Sequence, residues 1–180
     1  MAKRIDSRNV HQKKGVEWFF NEIRKAAKDI NYNAFNPVSD PFIGSLFAFI
    51  YSAKYADKLP YWDKLPLVIP FNILDDGFIG LNLHYASGDD RTRLLQYLLR
   101  IKTKKSKREY ANISYQALQT SIKTSIFEPC IHRYLKTHIK SRLVKINLEE
   151  WENIAKLPLA QWQMQNKVFY HGLACQNVWS

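Results

Sequence analysis

Cysteine is scarce in this 180-residue chain. Cys130 and Cys175 are too few and too irregularly placed to form a disulfide framework, which excludes a small secreted scaffold and points to free thiols in a reducing compartment. Long apolar runs are missing as well. No stretch of 18 apolar residues exists, and the opening MAKRIDSRNV lacks the apolar region of a signal peptide, so the expectation is a soluble chain not exported by that route and without a membrane partner. Glycine is sparse and unpatterned: Gly77, Gly80 and Gly88 belong to no GxGxxG, and no Gly-Lys-Ser/Thr follows them. A nucleotide-cofactor site is therefore not expected, nor any other cofactor or small-molecule substrate. Internal repeats are absent too.

Acidic residues are the remaining shortage, with 16 Asp+Glu against 27 Lys+Arg for a net charge of +11. Residues 91–145 alone hold 14 Lys+Arg and 2 Asp+Glu, while the segments on either side are close to balance. A scattered surplus would serve only solubility. Gathered into one region, it builds a positive potential that attracts phosphate or an acidic protein.

What the chain does have is apolar mass. Hydrophobic residues make up 46% and aromatic residues 14%, enough for the core of one domain. Between Phe42 and Tyr85 the pattern is that of strands. Ser45–Tyr51 places Phe47, Phe49 and Tyr51 on one side and Leu46, Ala48 and Ile50 on the other, as a strand buried on both faces would. An ordered loop, Ser52–Lys64, carries Leu59, Pro60, Tyr61 and Trp62. Leu65–Phe71 contains Pro66 and Pro70, which predicts an edge strand or one bent by its prolines. Asp75-Asp76-Gly77 is a turn signal, followed by a strand in which Ile79, Leu81, Leu83 and Tyr85 alternate with Gly80, Asn82 and His84.

Elsewhere the spacing is helical. Residues 1–14 read as a basic arm ordered by a partner, Gly15–Asp29 as an amphipathic helix, and Asn31–Pro41 as a loop. Ser87-Gly88-Asp89 caps a helix with Leu94, Leu95, Leu98 and Ile101 inside and Arg91, Arg93, Arg100 and Lys102 outside. Lys102, Lys104, Lys105, Lys107 and Arg108 crowd into KTKKSKR, whose mutual repulsion predicts a solvated or partner-ordered loop. A helix from Ser114 is expected to turn Tyr115, Leu118 and Ile122 inward, and a third from Pro129 to project Arg133, Lys136, Lys140 and Arg142. Val144, Ile146 and Leu148 fit a short strand, and Asn147 with Glu150 fits a capping box ahead of a helix through Trp151. The tail, 161–180, carries Trp162, Phe169, Tyr170 and Trp179 with little charge, which predicts burial against the domain or a neighbouring subunit. These patterns together predict an α+β fold: a small curled antiparallel sheet, barrel-like but incomplete, over 42–85, flanked by amphipathic helices. The single domain runs from 15 to 160, with its basic helical region at 89–145.

Candidate chemistry is thin. His84 beside Asn82, approached by Asp63 or Asp75, could form a proton-moving pair, but His and Asn holding loop backbone explain the same residues. Cys130, His132, His138, His171 and Cys175 are zinc-ligand types without a recognised spacing, so no metal site is expected. Asp75-Asp76 and Asp89-Asp90 could be offered as a nuclease cluster, yet turns and helix caps already account for them.

The segments FAFIYSAKYADK, LPYWDKLPLVIPF and GFIGLNLHY, with the later CIHRYLKTHIKSRLVKINLEEWENIAKLP, resemble small virion proteins of T-even-like tailed bacteriophages, some of them DNA end protectors. The resemblance covers about residues 46–158 and carries over no catalytic residue. Where that group has Leu-Pro after the GLNLHY strand, this chain has Ala86-Ser87-Gly88. It implies a non-enzymatic virion component, made in the host cytoplasm, that partners other virion proteins and linear double-stranded DNA. Lys102, Lys104, Lys105, Lys107, Arg108, Arg133, Lys136, Lys140 and Arg142 would then meet packaged DNA or an acidic neighbour. Trp162, Phe169, Tyr170 and Trp179 would form a protein interface; the alternative is a tail or baseplate subunit working by docking alone.

Overall fold

The computed structural model describes residues 15–28, 36–38, 41–104, 116, 118, 120, 126–157, 159–164 and 167–170. Apolar spacing of three and four makes the first helix, α1 (Val16–Lys28), which buries Phe19, Phe20 and Ile23 and leaves Glu17, Asn21 and Arg24 exposed. Five strands follow: β1 (Asn36–Val38), β2 (Phe47–Ala48), β3 (Trp62–Asp63), β4 (Leu67–Leu74) and β5 (Gly77–Asn82). Helix α2 (Gly88–Lys104) starts where Ser87 Oγ accepts the Asp90 N–H at 3.1 Å, the expected cap. Then come β6 (Ile131–Leu135), β7 (Leu143–Lys145), the short helix α3 (Trp151–Lys156), β8 (Gln161–Met164) and β9 (Lys167–Tyr170).

Six strands form one antiparallel sheet in the order β1-β7-β2-β4-β5-β6, and β3-β8-β9 form a second. In a flat sheet β2 and β6 would stand three strand spacings, about 14 Å, apart. Yet Phe49, just past β2, brings its ring centroid to 5.2 Å from that of Tyr134 on β6. The sheet is therefore curled, with Phe47, Phe49, Tyr51, Val68, Phe78, Tyr134 and Leu143 packed inside the curl. One continuous segment, 131–145, supplies both β6 and β7 and so pairs with β5 at one end and β2 at the other. Between them, a Tyr51–Ile139 bridge and a 2.7 Å bond from Lys140 N–H to Ile50 O hold the middle. Ladder pairing leaves β1 and β6 as open ends, so the α+β fold with an incomplete barrel is what forms.

The other face carries the larger core. Leu46, Ala48, Leu67, Ile69, Leu81 and Val144 meet Phe19 of α1, Leu94, Leu95 and Leu98 of α2, and Trp151 and Ile154 of α3. Leu118 is buried there as well. Of the strand expected over Ser45–Tyr51, only Phe47–Ala48 pair as β2, while residues 45–49 and Tyr51 are buried and Ile50 is half-buried.

Several local expectations are corrected. Of the two readings of Leu65–Phe71, the edge strand is set aside and the proline-bent strand is what forms: β4 lies between β2 and β5, with a register shift between Pro70 and Asn72. Pro37 instead occupies an edge strand, β1, inside the segment read as a loop. The strand expected to reach Tyr85 stops at Asn82, whose side chain accepts the His84 N–H and turns the chain into a 3-10 turn over Leu83–Tyr85. Lys102 and Lys104 belong to the last turn of α2 and not to a loop. Arg91, expected outside, is 3% exposed, and its Nε donates to Ala155 O at 2.7 Å, tying α2 to α3. The helix expected from Pro129 is a 3-10 turn followed by β6, because β5 presents a free ladder edge that a helix cannot satisfy. Asn147 makes no side-chain cap bond, so the capping box does not form. The N-terminal arm and the residues 105–115 and 171–180 lie outside the described residues.

Candidate functional site

The 52–64 loop ends in β3, which delivers Asp63 to the end of β5. Asp63 is buried and fully engaged. Its Oδ1 accepts the Leu65 N–H at 3.0 Å, and its Oδ2 accepts Asn82 Nδ2 at 3.0 Å and His84 Nδ1 at 2.6 Å. A carboxylate can only accept, so Nδ1 carries the proton. Asn82 Oδ1 in turn accepts the His84 N–H at 3.0 Å. His84 is 1% exposed, and its Nε2 has no hydrogen-bond partner among the described residues. The pair anticipated from the sequence exists, with Asp63 and not Asp75 as its carboxylate. Closed to solvent, it ties loop to strand: removing the Asp63 carboxylate would strand three buried donors, each costing about 1–3 kcal/mol.

Beside this knot lies a cleft of about 860 Å³. Tyr51, Tyr55, Tyr61, Tyr85, His132 and Tyr134 dominate its lining, with Asp63 and Asn82 at its base and Lys54, Asp76 and Arg133 also reaching it. The rings brace one another. Tyr85 sits 4.3 Å from His132 and 4.6 Å from Trp162, Tyr61 lies 5.6 Å from Trp162, and Tyr51 lies 5.0 Å from Tyr134, all as ring centroids. Burial raises the pKa values of Tyr85, Tyr134, Tyr51 and Tyr61, so these four phenols are neutral donors. Burial lowers that of His132, against a smaller opposing effect of its hydrogen bond to the Pro129 backbone. The ring is neutral at pH 7. Burial also pushes the Cys130 thiol up to about 12, which leaves it protonated and inert as a nucleophile.

The cations expected to bind a partner fall into two groups. Arg133 on β6 donates from Nη2 to both carboxylate oxygens of Asp76, at 2.9 and 2.7 Å, and the guanidinium holds that carboxyl below its usual range. Lys136, Lys140 and Arg142 follow on the same segment, with Lys140 Nζ donating to Thr137 O at 3.2 Å. Lys102 and Lys104 end α2, and Lys105, Lys107 and Arg108 lie outside the described residues.

Trp162, expected at a protein interface, is 1% exposed and packs inside its own chain against Tyr61 and Tyr85, because β8 pairs with β3. Phe169 and Tyr170 sit on β9, and Trp179 lies outside the described residues. The acidic pairs do not converge: Asp76 binds Arg133, while Asp90 accepts the Ser87 hydroxyl. Among the described residues no group of three His, Cys, Asp or Glu is placed to hold a metal ion, and no helix is long and apolar enough to cross a membrane. Sequence reading missed the cleft itself. Its signal was the aromatic density of residues 51–62 and 132–134, legible only once the curl brings them together.

A curled, open α+β domain with an aromatic cleft and a cation-bearing edge segment is the class of molecule these features define. The family model described as Phage T4 terminal DNA protecting protein matches residues 1–180, and the chain belongs to that family, the T4-like protectors of DNA ends. Among curated proteins and among solved structures, nothing matches the chain.

Proposed function

We propose that this chain binds the ends of linear double-stranded DNA and shields them, as a non-enzymatic component of the phage particle alongside other virion proteins. The observation that carries the reading is the family match, which spans residues 1–180. Two further features support it. Cations cluster on the β6–β7 segment, while Lys102, Lys104, Lys105, Lys107 and Arg108 form a second basic run, both suited to phosphate contacts that place a protein on DNA without reading its sequence. The groups that could do chemistry are otherwise engaged: the Cys130 thiol is protonated, the His84–Asp63 pair is sealed, and Asp76 neutralises Arg133.

The test is an exonuclease assay on linear fragments with purified protein, competed by the same sequence as supercoiled circles. Linear DNA should be protected and only linear competitor should relieve it; equal competition by circles would overturn end binding. In the same assay the triple variant K104E/K105E/K107E should bind more weakly, with the slope of log affinity against log salt shallower by about 0.9 for each phosphate it no longer neutralises.

A further inference from the structure

We propose that the aromatic cleft receives one or two unpaired bases at the end of a DNA strand, so that the protein grips a frayed terminus in addition to coating the duplex. The inference rests on the end-binding reading above and names the part of the end that is recognised. Three observations on the cleft carry it. At about 860 Å³, it is within the size range of sites that enclose small planar ligands and too small for a duplex end. Its faces are rings already fixed by packing on one another and on buried Trp162, so a base stacks on them without ordering them first. His132 lines the cleft with Nε2 left without a partner among the described residues, while its ring hydrogen-bonds the Pro129 backbone. The Pro129 carbonyl can only accept, so the proton faces it and Nε2 is a buried, unpaired acceptor beside the cleft.

Charge selects a nucleotide over a neutral aromatic ligand. Lys54 and Tyr55 both line the cleft, and Lys54 and Lys58 stand 5.3 and 5.7 Å from the centroid of the exposed Tyr55 ring. The two carboxylates in the lining do not oppose them. Asp63 is held by three donors and Asp76 by Arg133. A phosphate entering with its base therefore meets the cations beside Tyr55 and the rings of the lining.

The experiment uses the full chain and three duplexes of one sequence: blunt, with a three-nucleotide 3′ overhang, and with a three-nucleotide 5′ overhang, each overhang carrying 2-aminopurine. At least one overhang should bind about tenfold tighter than the blunt end, as stacking of a single base allows, and its 2-aminopurine fluorescence should be quenched on binding. In Y55A/Y61A that affinity ratio should fall towards one. Tyr55 is exposed, so loss of the ratio in Y55A alone serves if the double variant does not fold. Free deoxynucleoside monophosphate at millimolar concentration should not displace the overhang if a strand end is the ligand. Displacement would reassign the cleft to free nucleotides and overturn the proposal. Equal binding of all three duplexes without quenching would also overturn it, while leaving end binding intact wherever linear DNA still outcompetes circles; loss of that preference too would instead sink the end-binding reading.

Discussion

His132 shows how one residue can carry both packing and pH sensitivity. Its ring is wedged beside Tyr85 and hydrogen-bonds the Pro129 backbone, and burial lowers its pKa below 6.5, the ordinary value. A histidine depressed in the folded state is protonated more readily when unfolded. Stability is therefore full above about pH 6.5 and declines as pH falls towards the lower folded value, where the decline ends. Urea midpoints measured from pH 7.5 down to 5 should fall for the wild type and fall less for His132→Gln; parallel curves would mean that His132 does not titrate with unfolding. At the same scale the Asp63–Asn82–His84 knot was half legible. The sequence put His84 and Asn82 on one polar face and offered two carboxylates. Only the return of β3 to β5 chose Asp63 over Asp75, which sits in the exposed hairpin turn.

The β4–β5–β6 ladder is where local pattern and tertiary demand diverged. Ile131, Tyr134, Leu135, His138 and Ile139 satisfy helical spacing as well as any helix in the chain, yet they form a strand and a turn. Spacing measures only which residues share a face. The open edge of β5 decided that backbone groups be met by another strand. Gly77 records the closeness of that pairing. It reads as a turn glycine, but it pairs with Leu135 as the first residue of β5, and a Cβ there would sit 1.9 Å from Tyr134 O. The clash is with backbone, so it cannot be relieved by a side-chain rotation. Gly77→Ala should cost about 3 kcal/mol or more, read as a lower urea midpoint, because strand separation is its relief. Among the described residues Gly44, at φ 75°, is the glycine that does use left-handed backbone, and its N–H bonds Pro70 O beside the bend in β4.

At the scale of the whole molecule, the second sheet fastens the C-terminal strands to the loop that lines the cleft. β8 pairs with β3, and Trp162 fills the space between Tyr61 and Tyr85. Trp162→Ala should therefore destabilise the chain by about 3–5 kcal/mol in urea unfolding, the cost of emptying a buried aromatic site. An exposed docking residue would change stability by less than about 0.5 kcal/mol, and that result would return Trp162 to an interface role. Cleft geometry and fold stability are coupled through this one side chain, since the rings it braces are those proposed to hold a base.

Composition and periodicity by themselves determined the class of this protein: an aromatic-rich α+β domain, positive in one region, with segment 45–49 buried on both faces and helices beginning near Gly15 and Ser87. Those features follow from nearest-neighbour physics, the period of side chains along a strand or helix and the local sum of charge, and so they are written in the order of residues. The central place of β4, the strand at Ile131–Leu135, the choice of Asp63 and the cleft itself were decided only in three dimensions. Each depends on how far the sheet curls, and curl is set by rings from Phe49, Phe78 and Tyr134 that lie far apart in the chain and meet only when it closes on them.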